Sequence, residues 1–215
     1  MTEKLIDGYR DFYTEYFEGD NKLFQQQLQF GQSPKSIMIS CSDSRVDGAI
    51  LTKAQPGDIF TIRNVANLVP PYKDQQQFND AGGASVGAAI EFAVCALKVE
   101  NIIVMGHSQC GGVKALMTHD DNKKSDFEYI PQWMNIAHAV KTRAENKANQ
   151  SDDIEKLCQH GEHQMILLSL ENLMTYPFIS SRVKSGALLL HGWYFSIADG
   201  ILYGYDKDIS EFTAL

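Results

Sequence analysis

The chain has 215 residues, a formal net charge of −8 and 44% hydrophobic residues. That length holds one globular domain with a sizeable core, and the composition excludes a disordered or fibrous chain. The acidic balance disfavours nucleic acid or an anionic membrane surface as the main partner, and 4 cysteines are too few for a disulfide scaffold at this length.

From Met1 to Gly19 the chain is interrupted by Glu3, Lys4, Asp7, Arg10, Asp11 and Glu15, which does not read as a secretory leader. A cytoplasmic setting with reduced thiols is expected. Leu5, Ile6, Tyr9, Phe12, Tyr13, Tyr16 and Phe17 recur at helical spacing and form an aromatic amphipathic helix. It covers its own core or packs on a second subunit. Gly31-Gln32-Ser33-Pro34 breaks the chain. Ser36–Ser40 then reads as a short buried strand, and Asp58–Ile62, after the Pro56-Gly57 turn, as a second. Asn67–Asp80 is loop-like, and Ala84–Val99 reads as an Ala-rich buried helix.

Asn101–Met105 is a third strand and Cys110–Thr118 a helix. Longer helices are expected over Phe127–Ala148 and Ser151–Met174. Two β-rich runs, Ala187–Phe195 and Ile201–Tyr205, flank the turn signal Asp199-Gly200 and predict a hairpin. Strands alternating with helices predict an α/β fold: a central, mostly parallel β-sheet flanked by helices, with an N-terminal helical arm and a C-terminal β-hairpin. No linker divides residues 1–215, and residues 1–30 form the arm.

Two predicted strands end in unusual clusters, Cys41-Ser42-Asp43-Ser44-Arg45 and Gly106-His107-Ser108-Gln109-Cys110-Gly111-Gly112. In open parallel sheets, ligands bind outside the carboxyl ends of strands. Cys41, His107 and Cys110 offer two thiolates and an imidazole, a set that suits zinc and leaves a fourth tetrahedral position open for chemistry. Asp43 and Arg45 follow Cys41 closely; a guanidinium beside a carboxylate keeps it ionised and fixed. Taken singly, a buried Cys or a lone His is more often a packing residue. Cys95 and Cys158 lie in apolar helical patterns and are read as core.

Rival chemistries are weaker. Arg45 stands four residues after Cys41 and Asp47 six, which breaks the spacing of a cysteine phosphatase loop. Gly106-His107-Ser108-Gln109-Cys110 is one residue off the G-x-S-x-G elbow, so Ser108 is a candidate nucleophile of a serine hydrolase. Gly82–Gly87 lacks the dinucleotide-binding spacing.

The two clusters resemble the signature motifs of the β-class carbonic anhydrases. Gly31–Pro34, Gln55–Asp58, Arg63–Asn67, Gly87–Glu91 and Leu173–Pro177 resemble the plant-type branch in particular. The resemblance implies one zinc ion per subunit held by Cys41, His107 and Cys110, with water or hydroxide in fourth place. It implies an Asp43–Arg45 dyad and reversible hydration of carbon dioxide to bicarbonate by attack of zinc-bound hydroxide. It further implies that Gln32 binds substrate or bicarbonate, that Phe60 and Val65 line the carbon dioxide pocket, and that Gly111 borders the site. A homodimer, or a larger homo-oligomer built from dimers, is implied, with pocket residues shared between subunits. Carbonyl sulfide or carbon disulfide hydrolysis on the same scaffold is the alternative within the family. This sequence has Phe92 where the plant-type pattern often has Tyr, and a longer loop over Tyr72–Asp80.

Overall fold

A computed structural model describes residues 2–72, 81–120, 125–148 and 153–215, and of residues 81 and 82 only the backbone. Six strands form the sheet: β1 (Ser36–Cys41), β2 (Ile59–Asn64), β3 (Asn101–His107), β4 (Leu189–Ser196), β5 (Ile201–Asp206) and β6 (Glu211–Ala214), in the order β2-β1-β3-β4-β5-β6. The first four in that order pair parallel; β4–β5 and β5–β6 pair antiparallel, and Gly200 turns the predicted hairpin at φ +70°.

β1 carries the apolar run Ile37-Met38-Ile39 because both of its faces are covered. Ile37 and Ile39 face a core with Ile102, Val104, Ile90, Ile166 and Leu173. Met38 points to the other face, against Ile103 and Met105. The helices that cover the sheet include α4 (Ala81–Glu91), α8 (Ile154–Leu173) and α9 (Pro177–Lys184). α8 lies so close to β3 that a Cβ at Gly106 would stand 2.8 Å from two Ile166 side-chain carbons, so only glycine fits.

The chain moves from β1 to β2 on one side and returns to β3 on the other. The crevice between the carboxyl ends of β1 and β3 is therefore a topological switch point, where open α/β sheets place ligands. Cys41 closes β1 and His107 closes β3.

Several boundaries differ from the sequence expectation. The helix predicted over 127–148 is two, α6 (Tyr129–Asn135) and α7 (His138–Lys147). Tight bonds from Ile136 N–H to Trp133 O and from Ala137 N–H to Met134 O break it, which lets Met134 and Val140 both reach the core. α4 widens into a π-helical turn over Phe92–Ala96. That turn buries Ala93 and Val94 but leaves Cys95 exposed, so Cys95 is not the core residue that its pattern predicts. Cys158 is buried as expected. α9 and β6 have no counterpart in the sequence reading. The long loop expected up to Asp80 lies outside the described residues from position 73 on.

The predicted N-terminal helix is α1 (Thr2–Tyr13), continued by a π-helical turn over Thr14–Glu18. α1 buries none of its residues: Leu5 is 72% exposed and Tyr9 61%. α2 (Leu23–Phe30) follows and is anchored where Gln27 Nε2 donates to Pro56 O, at the amino end of β2. Among the described residues, no helix is long and apolar enough to cross a membrane.

Candidate metal centre and active site

Cys41 and His107 come from adjacent parallel strands, and Cys110 from the turn that leads into α5 (Gly111–Met117). The turn passes through Gln109 at φ +58°. The start of α5 sits against the Val65–Asn67 turn so closely that a Cβ at Gly112 would lie 2.6 Å from Val65 Cγ1. This pulls the two thiols and the imidazole into one place: their ligand atoms all lie within 4.8 Å of one another, and all three residues are buried.

The geometry fits a zinc ion. The two Sγ atoms are 3.9 Å apart, and two bonds of about 2.3 Å at a tetrahedral angle place sulfurs about 3.8 Å apart. His107 Nδ1 lies 2.8 Å from the Ser108 carbonyl, which assigns the ring proton to Nδ1 and leaves Nε2 as the free lone pair. Nε2 is buried and has no hydrogen-bond partner among the described residues. A buried acceptor without a partner is costly, and a metal ion is the partner this one lacks.

The electrostatics agree. A hydrogen bond from Cys110 holds the Cys41 thiol well below its usual range, with smaller help from His107 and the Asp43 and Ala66 N–H groups. Cys110 is pushed up in turn, because its proton is shared with Cys41 and it is buried. For His107, burial opposes the charged form, but the nearby Cys41 sulfur, the Ser108 carbonyl and the Asp43 charge outweigh it and the net shift is upward. A divalent cation bound here would take the place of the ligand protons.

Asp43 and Arg45 stand at the rim. Arg45 Nε donates to Asp43 Oδ1 at 2.9 Å and Nη2 to Oδ2 at 2.7 Å. The backbone N–H of Arg45 donates to Oδ1 as well, at 3.0 Å. The side-chain bonds from Arg45 come first in holding the Asp43 carboxyl far below the usual carboxylate range. Oδ2 is 3.9 Å from His107 Nε2, so the ionised carboxylate borders the open side of the triad. Arg45 also reaches Gln109, through its carbonyl at 3.3 Å and its Oε1 at 3.4 Å, and so links the two motif loops.

The remaining predicted residues divide. Val65 packs in the same core cluster as Cys41 and Cys110, and Gly111 is exposed at the start of α5. Phe60 is four residues before Asn64, the partner of Cys41 in the sheet, which puts it about 13 Å back along the strand. Gln32 follows α2 and is exposed. Within one chain, Gln32 and Phe60 therefore sit at the amino end of the sheet, away from the triad.

Ser108 does not have the surroundings of a nucleophile. Its Oγ accepts the Ile197 N–H at 2.8 Å, and His107 contacts its carbonyl rather than its hydroxyl.

Sequence reasoning missed Glu162. This carboxylate in α8 is 3% exposed; Oε1 accepts the Cys110 N–H at 3.0 Å and Oε2 the Tyr194 hydroxyl at 2.9 Å. Burial raises its pKa. Flanked by Gln159, His160, Gly161, His163 and Gln164, it reads as an ordinary polar helix residue, and nothing local ties it to Cys110.

A family model for carbonic anhydrases matches residues 36–202. The chain is 38% identical to a carbonic anhydrase of Synechocystis sp. over 99% of its own length and 74% of that protein. It is 41% identical to the mitochondrial beta carbonic anhydrase 6 of Arabidopsis thaliana over 80% of its length, and spans 57% of that protein. Among solved structures, the beta-carbonic anhydrase CcaA superposes with a TM-score of 0.88 at 36% identity, over 100% of this chain and 99% of that one. A chain from the crystal structures of two tetrameric beta-carbonic anhydrases of Sordaria macrospora gives 0.74 at 25% identity, over 99% of this chain and 95% of that one. Fold, triad and relatives agree: the chain belongs to the β-class carbonic anhydrases.

Proposed function

We propose that this chain catalyses the reversible hydration of carbon dioxide to bicarbonate and a proton, with Cys41, His107 and Cys110 holding one zinc ion. The observation that carries this reading is the buried His107 Nε2, without a hydrogen-bond partner among the described residues, beside two thiols 3.9 Å apart, with a carboxylate fixed at the rim. Zinc, when bound, supplies a Lewis acid that makes a coordinated water acidic enough to attack carbon dioxide near neutral pH. Because Cys41 and Cys110 bring two negative charges, the site leans on Asp43 as an acceptor. Its Arg45 fork keeps the carboxylate ionised and pointing one way, so it orients a hydrogen-bond donor rather than taking a proton itself. Val65 supplies apolar wall for carbon dioxide, and Gly111 borders the site without a side chain.

Gln32 and Phe60 complete the pocket from a second copy of the chain. The support is their distance from the triad of their own chain and the bare apolar face of α1, where Leu5, Ile6 and Tyr9 are exposed. The chain acts as one domain, 1–215, whose arm 1–30 clasps that copy, and dimers are the unit from which larger oligomers are built. A reducing compartment such as the cytoplasm suits two zinc-binding thiols this close together. Stopped-flow carbon dioxide hydration, with zinc measured on the same sample, tests the reading: a zinc-loaded chain without hydratase activity refutes it.

A further inference from the structure

We propose that Arg63 is a positioning residue of this site: a brace that sets the Asp43–Arg45 pair against the metal-binding triad. Arg63 lies on β2, in register with Ser40 of β1. Its side chain reaches under the loop that follows Cys41 and is 29% exposed. Nε donates to Cys41 O at 3.1 Å, Nη2 to Asp43 O and Val46 O, both at 2.8 Å, and Nη1 to Asp47 Oδ2 at 2.9 Å. Four of the five N–H groups of a guanidinium are thus spent on one loop.

The acceptors run from one end of the loop to the other. Cys41 is a triad member, Asp43 carries the rim carboxylate, and Val46 follows Arg45. Asp47 is fixed from its other side: its Oδ1 caps α3 (Gly48–Thr52) by accepting from Ala49 and Ile50 N–H. Arg63 therefore ties a loop with rigid ends to a rigid strand at three carbonyls. The middle is also held by Ser42 N–H to Asn64 O, Val46 N–H to Asp43 O, Arg45 N–H to the Asp43 side chain, and the Arg45 side chain to Asp43 and, at 3.3 and 3.4 Å, to Gln109; of these only the Ser42 bond reaches β2. None of the bonds from Arg63 closes on a metal-ligating atom, so its effect falls on where Asp43 and Arg45 stand rather than on whether the triad binds metal. A partly exposed Arg–Asp pair adds little stability by itself. What a guanidinium adds here is direction, a planar fork that a lysine ammonium cannot reproduce.

This rests on the hydratase reading of the site. The test uses zinc-loaded full-length Arg63→Lys and Arg63→Ala beside wild type. Zinc per chain, kcat and KM for carbon dioxide hydration, and the thiolate-to-metal absorption band of the cobalt-substituted proteins are measured. Both variants are expected to keep wild-type metal content and the wild-type cobalt band, with KM within about twofold. A displaced catalytic group costs on the order of 10²-fold in rate; kcat should fall by that much in Arg63→Ala and about tenfold in Arg63→Lys. Millimolar guanidinium should restore part of the Arg63→Ala loss. If Arg63→Ala does not fold, Arg63→Lys decides by the same criteria. The proposal is overturned by kcat per bound zinc within about twofold of wild type, or by losses that only track lost zinc. A zinc-loaded wild type without activity would instead refute the hydratase reading.

Discussion

Arg45 grips both carboxylate oxygens of Asp43, at 2.9 and 2.7 Å, and aims Oδ2 at the rim of the metal triad, 3.9 Å from His107 Nε2. The bidentate fork fixes direction as well as charge. Asp43→Asn keeps the size and one acceptor oxygen but loses the charge. Its kcat should fall on the order of 10²-fold, the scale of a lost proton-handling partner, while zinc content stays at wild type. Stopped-flow kinetics and metal analysis on one preparation check this; wild-type kcat would leave Asp43 without its role.

Glu162 should matter for stability first. Its carboxylate takes two buried donors, the Cys110 N–H and the Tyr194 hydroxyl. Glu162→Ala leaves both unpaired beside a cavity, at about 1–3 kcal/mol per stranded group. Tyr194→Phe removes one donor and should cost about 1 kcal/mol. Urea unfolding of the metal-loaded proteins should rank wild type above Tyr194→Phe and Tyr194→Phe above Glu162→Ala.

His163 gives the fold an acid-sensitive point. Burial pushes its pKa down to about 4, between the Tyr194 and Phe212 rings, and its Nε2 has no partner among the described residues. A depressed folded value means that the unfolded chain takes up the proton first. The contribution is therefore intact above about pH 6.5 and is lost as pH falls toward 4, by about 2–3 kcal/mol at the lower end. His163→Phe should lose less stability than wild type between pH 6.5 and 4. Parallel pH profiles of the unfolding free energy would contradict this.

If Gln32 and the triad meet only across a subunit boundary, two defective chains can complement each other. Cys41→Ser lacks a metal ligand and Gln32→Ala a substrate contact on the partner's side. Equal mixing, unfolding and refolding places roughly half the chains in mixed dimers, each with one intact site, so roughly a quarter of wild-type activity should return. Activity no greater than the sum of the separate variants would place both residues in one chain's site.

The sequence made the metal site legible because its ligands sit in two short runs at strand ends, where spacing and chemistry are local. β1, β3 and the hairpin were legible through apolar runs and Asp199-Gly200. What stayed hidden depends on distant pairing. Glu162 meets Cys110 across 52 positions, and Arg63 stands just past the predicted strand Asp58–Ile62, in a run that resembles the family, with nothing local to tie its side chain to the loop after Cys41. The break at Ile136–Ala137 has no glycine or proline to announce it and comes from Met134 and Val140 both turning inward. Cys95 points outward because α4 widens into a π-helical turn, which shifts the face that a regular period assigns.

The central claim, that Cys41, His107 and Cys110 hold a catalytic zinc, is tested most directly by measuring zinc per chain and carbon dioxide hydration together. Wild type, Cys41→Ser and His107→Ala are compared, with wild type also stripped by a chelator and reloaded. Wild type should carry one zinc per chain and be active, both variants should lose zinc and activity together, and reloading should restore the stripped enzyme. Full hydration activity in the zinc-free wild type would contradict the account.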